Sequence, residues 1–329
     1  MNQYIYIACP DSQEIHVFEL QENGTLTSIQ IVSVPGQVQP MTISPNGDFL
    51  YVGVRPDFRV LSYKIENETG KLSHAGTASL TGSPTHVSTC HKGEYFFSAS
   101  YSFNCTSISP ILPSGVIGEP IHNIEGLQAP HSANMNNSNQ LLMIPALKED
   151  AIRIFTLNHD GSVYEHSDKI STQTGAGPRH MAFHKNGKLA YCINELNSTI
   201  DVIELPHKDK TAKIIQTFTA VPDDFNLTCW SADIHITPNN EFLYCSERTS
   251  SLISAFKLNA DGSIKATIGH FKTEEQPRGF GIDKSSKYLI ATGQKSDFIT
   301  VHKINEVTGE LTELERYKVG KGAMWVTIR

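Results

Sequence analysis

Apolar runs seven residues long recur along the chain, separated by polar turns. EIHVFEL (14–20), RVLSYKI (59–65), AIRIFTL (151–157), TIDVIEL (199–205), LISAFKL (252–258) and FITVHKI (298–304) share a pattern, and CTSISPI (105–111) is a weaker copy. β-branched and aromatic residues fill these runs, as they do in strands. Most are followed by a turn such as QENGTL, ENETGKL, NHDGSV, NADGSI or NEVTGEL. There Asn, Asp and Gly supply the positive φ that tight hairpins need. A further strand follows, as in KLSHAGTASL. Two more precede each run: a short apolar strand after x-P-[RHT]-x, a polar turn (SPNGD, HKNGK, TPNNE), then FLYVGV, LAYCIN or FLYCSE.

Equivalent points fall at Val38, Pro84, Pro130, Pro178, Ser231, Pro277 and Gly322, with spacings of 46, 46, 48, 53, 46 and 45 residues. Four short strands in each such repeat predict a β-propeller blade. Residues 1–36 supply only the last three strands of a blade, and GAMWVTIR (322–329) supplies one strand without a successor. The C-terminal strand is therefore expected to complete the N-terminal blade as its innermost strand, closing the ring. Helical periodicity is almost absent and no linker stands out. The fold expected is an all-β, seven-bladed propeller of four-stranded antiparallel blades, in one domain spanning residues 1–329. YSFNCTSISPILPSG makes the third blade look degenerate.

Blade topology says which residues can meet. Neighbouring strands are antiparallel, so the start of each innermost strand and the end of the next share one rim of the central channel. The start positions read Gln39, Thr85, His131, Arg179, Ala232, Arg278 and Ala323. The positions that follow read Pro40, His86, Ser132, His180, Asp233, Gly279 and Met324. The second-strand ends read Pro10, Arg55, Tyr101, Leu147, Glu195, Arg248 and Gln294, with Arg59, Lys148 and Lys295 close by. Structural positions repeat from blade to blade; these diverge. A single arginine is usually just solvated, but several at one channel register make a positive funnel suited to carboxylate or phosphate. Glu195 inside it is expected to stay ionised, and His131 and His180 are candidates for acid or base work. Strand histidines such as His16, His235 and His302 read as packing or surface residues.

Composition narrows the partners. The net charge of −7 leaves no global field for nucleic acid or anionic membrane, so neither is expected as a partner. MNQYIYIACPDSQ has no basic segment or long apolar core, and no window approaches the ~20 apolar residues of a membrane helix. The six cysteines are scattered without C-x-x-C or zinc spacing, which suits reduced thiols in the cytoplasm. Nucleotide, nucleophile-elbow and zinc-protease motifs are missing, so no cofactor and no metal is expected. A monomer or weak homodimer is expected.

The blocks VPGQVQPM, GSPTH, HSAN, GAGPRHM-FH, YC-NELNS-IDV-EL, ADIHITP, QPRGF and VG-G-MWV resemble the propeller-type 6-phosphogluconolactonases, over residues 4 to 329. The wider family includes a fungal carboxymuconate lactonising enzyme. The resemblance implies hydrolysis of 6-phospho-D-glucono-1,5-lactone, a small anionic phosphosugar lactone, in the oxidative pentose phosphate pathway. It implies a catalytic cluster of His131, Arg179, Glu195 and Arg278, with Arg248 competing for the last place. Glu195 or His131 would take a proton from water, and Arg179, with Arg278 or His180, would hold the oxyanion. Arg55, Arg248 and Lys295 would hold phosphate, and His180 and Asp233 would complete the substrate site. Muconate lactonisation and a non-catalytic interaction scaffold are the alternatives.

Overall fold

The computed structural model describes residues 3–207 and 210–329. Met1, Asn2, Lys208 and Asp209, which the one-domain reading includes, lie outside the described residues. Seven antiparallel sheets follow one another along the chain. We number them as blades 1 to 7, blade 1 holding the N-terminal strands. The strand Trp325–Ile328 pairs with Gln3–Cys9, with Ile5 opposite Ile328 and Ala8 opposite Trp325. The last strand thus becomes the innermost strand of blade 1, as the sequence pattern requires.

Blades stand together because their middle strands are apolar on both faces. Phe242–Glu247, FLYCSE, is buried along its whole length. Continuous burial of this kind belongs to strands covered on both sides. The outermost strands instead alternate, as in Lys213–Thr219. Seven apolar clusters result, each bridging two neighbouring blades. One joins Tyr288, Ile290 and Val301 of blade 7 to Ile5, Ile7 and Phe18 of blade 1, so the closing interface is packed like the others.

A polar tie repeats beside this packing. A tyrosine of the second strand donates its hydroxyl to the outer hairpin of the next blade. The pairs include Tyr6 to Gly70 O (2.9 Å), Tyr51 to Gly115 O (2.8 Å) and Tyr244 to Gly309 O (2.8 Å). Tyr288 to Glu22 O (2.9 Å) carries the tie across the closure. A buried tyrosine must place its hydroxyl on a partner. Gly115 has φ +83°, and a Cβ there would lie 2.1 Å from the Phe49 ring, so side chain and hairpin are fitted to each other.

Two departures from the expected pattern are local. In blade 4 the fourth strand is split: Val163–Glu165 and Ile170–Ser171 both pair with Ala151–Leu157. The third blade, expected to be degenerate, holds Cys105–Pro110 in unbroken register with Tyr95–Ser100. All six cysteines are unpaired.

Candidate active site

Blades 4 to 7 build the site at the rim where inner strands begin. Arg179 opens the inner strand of blade 5, Pro178–Phe183. Its pairing slips between Pro178 and His180, leaving Arg179 as a bulge. Consecutive strand residues normally face opposite sides. The bulge cancels that alternation, so Arg179 and His180 touch, with Arg179 Nη1 3.1 Å from His180 Nε2. A matching slip lies between Ser231 and Ile234 in blade 6. Bulges of this kind re-aim side chains next to functional sites.

Glu195 follows the second strand of blade 5, and its carboxylate gathers the cluster. Oε2 accepts Arg179 Nε at 2.8 Å and lies 3.2 Å from Arg248 Nη2 and 3.8 Å from His131 Nε2. Oε1 accepts the indole N–H of Trp230 at 3.2 Å. Arg248 lies 3.9 Å over the Trp230 ring and donates to the Trp230 and Ser231 carbonyls, at 3.0 and 3.1 Å. Buried Glu247 accepts the backbone N–H groups of Trp230 and Ser250, each at 2.6 Å, and so fastens the turn that presents both residues.

Several polar atoms of this rim are buried without a partner: His131 Nδ1, Arg179 Nη2, Arg278 Nε and Arg55 Nε. Arg179 is wholly buried, yet one arm of its fork is unused. An unmet buried polar group costs about 1–3 kcal/mol. Four such atoms belong to residues of this rim. The donors are arginine, which suits an anion. Among the described residues, no group of three or more His, Cys, Asp or Glu is disposed to hold a metal ion.

Electrostatics agree with the geometry. Burial alone would raise the Glu195 carboxyl, but Arg179, Arg248 and Arg278 outweigh it and hold Glu195 below its usual range. Burial, then Arg179, His180, Arg278 and Arg248, press His131 well below the ordinary histidine value. His86 is held well below it too, and His180 is lowered to about 4, burial being the largest cause in both. These three histidines are therefore neutral at pH 7.

That arrangement fixes a stability trend. An unfolded histidine binds a proton near pH 6.5. The folded chain resists protonating His86, His131 and His180, so the unfolded state binds more protons below that pH and stability falls. His235 is raised by Asp233 and opposes the trend. Glu195 and Asp233, both lowered, lose their contribution only at more acid pH. The melting temperature is expected to drop between pH 7 and about pH 5. Scanning calorimetry across that interval checks it; an equal or higher value at pH 5 would refute the account.

Of the residues named from sequence, His131, Arg179, Glu195, Arg248 and Arg278 come together. Arg55 joins from blade 2, with Nη2 on Pro84 O at 2.7 Å and its charge acting on Arg278. Lys295 does not join: it is exposed, tied only through its backbone N–H to Glu275 O at 3.3 Å. Arg59 is half-buried, with Nη2 donating to the Pro35 carbonyl and lying 3.5 Å from Asp57. His180 and Asp233 are buried and joined to each other at 2.8 Å. His235, read as packing or surface, pairs with Asp233 at 3.0 Å. Trp230 was missed. Its one sequence signal is its place at the end of the longest repeat, the 53-residue step.

Comparison with known proteins gives the fold its family. A family model described as lactonase, 7-bladed beta-propeller, matches residues 4–328. The chain belongs to the seven-bladed β-propeller lactonase family. A Yersinia enterocolitica 6-phosphogluconolactonase is 55% identical over 329 residues, covering 100% of this chain and 98% of the relative. The 6-phosphogluconolactonase of Yersinia pestis is 54% identical over 330 residues, with the same coverage. A solved Bacteroides uniformis structure superposes with a TM-score of 0.91 at 26% identity, covering 100% of this chain and 99% of the other. A periplasmic gluconolactonase of Pseudomonas aeruginosa superposes at 0.88 and 20% identity, with 99% of each chain covered. At that distance the likeness concerns the fold alone. In this lactonase family member the polar rim is the place to look for ester chemistry.

Proposed function

We propose that this chain hydrolyses 6-phospho-D-glucono-1,5-lactone to 6-phospho-D-gluconate as a step of the oxidative pentose phosphate pathway. The observation that carries the reading is the set of unpartnered buried atoms at one rim, His131 Nδ1, Arg179 Nη2, Arg278 Nε and Arg55 Nε. Lactone hydrolysis needs one proton acceptor and a cradle for negative charge, and these atoms are of both kinds. The relatives more than half identical along the whole chain support hydrolysis over muconate lactonisation or a scaffold role.

His131 is the better base. Glu195 already accepts from Arg179 and Trp230 and faces Arg248, which leaves its carboxylate weakly basic. His131 is neutral, its Nε2 side faces Glu195, and its Nδ1 is unused. In the first step His131 Nδ1 takes a proton from water while the water oxygen bonds to the lactone carbonyl carbon. The carbonyl π electrons move onto its oxygen, held by Arg179 Nη2 and Arg278. In the second step the carbonyl re-forms, the bond to the ring oxygen breaks, and that oxygen takes the proton back from His131. Glu195 steadies the imidazolium between the two steps. Arg55, from a different blade, is the candidate for the 6-phosphate. One domain over residues 1–329, a cytoplasmic setting and a monomer or weak homodimer complete the proposal. Closure of the ring by the last strand and the unpaired cysteines support it.

The test is a coupled assay on purified protein. Lactone is generated in place from glucose 6-phosphate, and its loss is followed with and without protein and EDTA. Rapid loss that survives EDTA is expected. No acceleration over the spontaneous rate would overturn the function, and loss abolished by EDTA would overturn the mechanism.

A further inference from the structure

Behind the rim, the channel holds a second polar layer. His180 Nδ1 lies 2.8 Å from Asp233 Oδ1, and His235 Nε2 lies 3.0 Å from Asp233 Oδ2. Asp233 is thus gripped from both sides. Its Oδ1 also accepts the Ile234 backbone N–H at 3.1 Å, and its own N–H donates to Ser246 Oγ at 3.1 Å. His86, His131 and Trp325 surround the His180 ring, with centroids 5.3, 5.2 and 5.9 Å away. Phe280 meets the His235 ring edge-on at 4.7 Å. A cavity of about 70 Å³ touches His86, His180, Asp233, His235 and Trp325. His86 and His235 also line a larger cavity at the opposite channel mouth, beside Phe183, Ile282 and Ile328 at the far ends of inner strands.

We infer that Asp233 and His235 are positioning residues for Arg179, acting through the His180 ring. The argument is one of donors and acceptors. A carboxylate only accepts, so His180 Nδ1 carries the proton that meets Asp233. A guanidinium only donates, so His180 Nε2 is the bare nitrogen that meets Arg179 Nη1. Both ends demand the same neutral tautomer. Protonating His180 would set two donors against each other at Arg179, in keeping with its lowered pKa.

Arg179 is then held at Nη1 by His180 and the Ala232 carbonyl, and at Nε by Glu195. The guanidinium plane is fixed, and Nη2 is the arm left over. His235 supplies the outer donor that keeps Asp233 oriented toward His180. The relay needs the bulge at Arg179, which sets two adjacent residues on one side, and the ordinary i, i+2 spacing of Asp233 and His235. The inference rests on the lactone-hydrolysis reading for its rate effect, but its tautomer claim stands independently.

The test uses the full-length protein with 15N-labelled histidine. In the unliganded wild type, the His180 resonances are expected to show a protonated Nδ1 and a bare Nε2. In Asp233→Ala, proton density should move to Nε2. Its kcat should fall about 10- to 100-fold, as when outer partners of an active-site histidine are removed, with KM nearly unchanged. Asp233→Asn, which can still accept from Nδ1–H, should keep the wild-type tautomer and most of the rate. A wild-type His180 protonated on Nε2 would overturn the inference even if lactone turnover is rapid. Wild-type tautomer and kcat retained in Asp233→Ala would overturn it too. If Asp233→Ala does not fold, the wild-type spectrum and Asp233→Asn decide. Absence of turnover with the expected tautomer would count against the lactonase reading and leave the relay standing.

Discussion

Arg179→Lys is expected to lower kcat by about 100- to 1,000-fold, the loss typical when one donor to a developing oxyanion is removed. Charge is conserved in this variant, so a simple field effect predicts little change. Geometry is not conserved. Lysine offers one compact ammonium where arginine spans Glu195, His180 and the Ala232 carbonyl and still has Nη2 free. An ammonium that satisfies Glu195 has no rigid second arm for the substrate. The check is kcat from the coupled assay beside circular dichroism to confirm folding. Arg179→Ala supplies a second arm: added guanidinium ion should recover part of its lost rate. A lysine variant with wild-type kcat would sink the oxyanion role.

Glu195→Gln should be at least as damaging, with a different signature. Here kcat should fall roughly 100- to 10,000-fold, because the carboxylate that steadies the His131 imidazolium is lost; the upper end is what losing a histidine-orienting carboxylate costs in acyl transfer. The 3.8 Å between Glu195 Oε2 and His131 Nε2 argues for the lower part of that range. Product affinity should not weaken. Removing the negative charge among Arg179, Arg248 and Arg278 makes the rim more positive, and 6-phosphogluconate is an anion. Calorimetric titration with product, set beside kcat, separates the two effects. Unchanged turnover would remove Glu195 from the mechanism, and a matching loss of product affinity would make it a binding residue only.

Both predictions depend on a cluster that was partly legible in the sequence. Its members occupy equivalent register positions in successive repeats, and antiparallel pairing carries those positions to one rim. Arg179, Glu195, His131, Arg248 and Arg278 were found that way. Lys295 is not a member: it lies one residue past the Gln294 register position, and its side chain is exposed. Trp230 lay one residue outside the register. It reaches Glu195 only because Glu247 and Arg248 fasten its loop.

The sequence by itself determined the blade count, the strand boundaries in outline, the closure by residues 322–329 and the rim on which the arginines, histidines and Glu195 collect. These follow from local periodicity and turn chemistry, which are written residue by residue. Only the tertiary structure decided which titratable groups touch. A slipped pairing at Arg179 put two neighbouring residues on one side of a strand. Convergence of blades 4, 5 and 6 then placed His131, Arg179 and Arg248 around the Glu195 carboxylate, and Asp233 between two histidines. Bulges and ring convergence depend on packing between residues some fifty positions apart, and no pattern within one repeat records them.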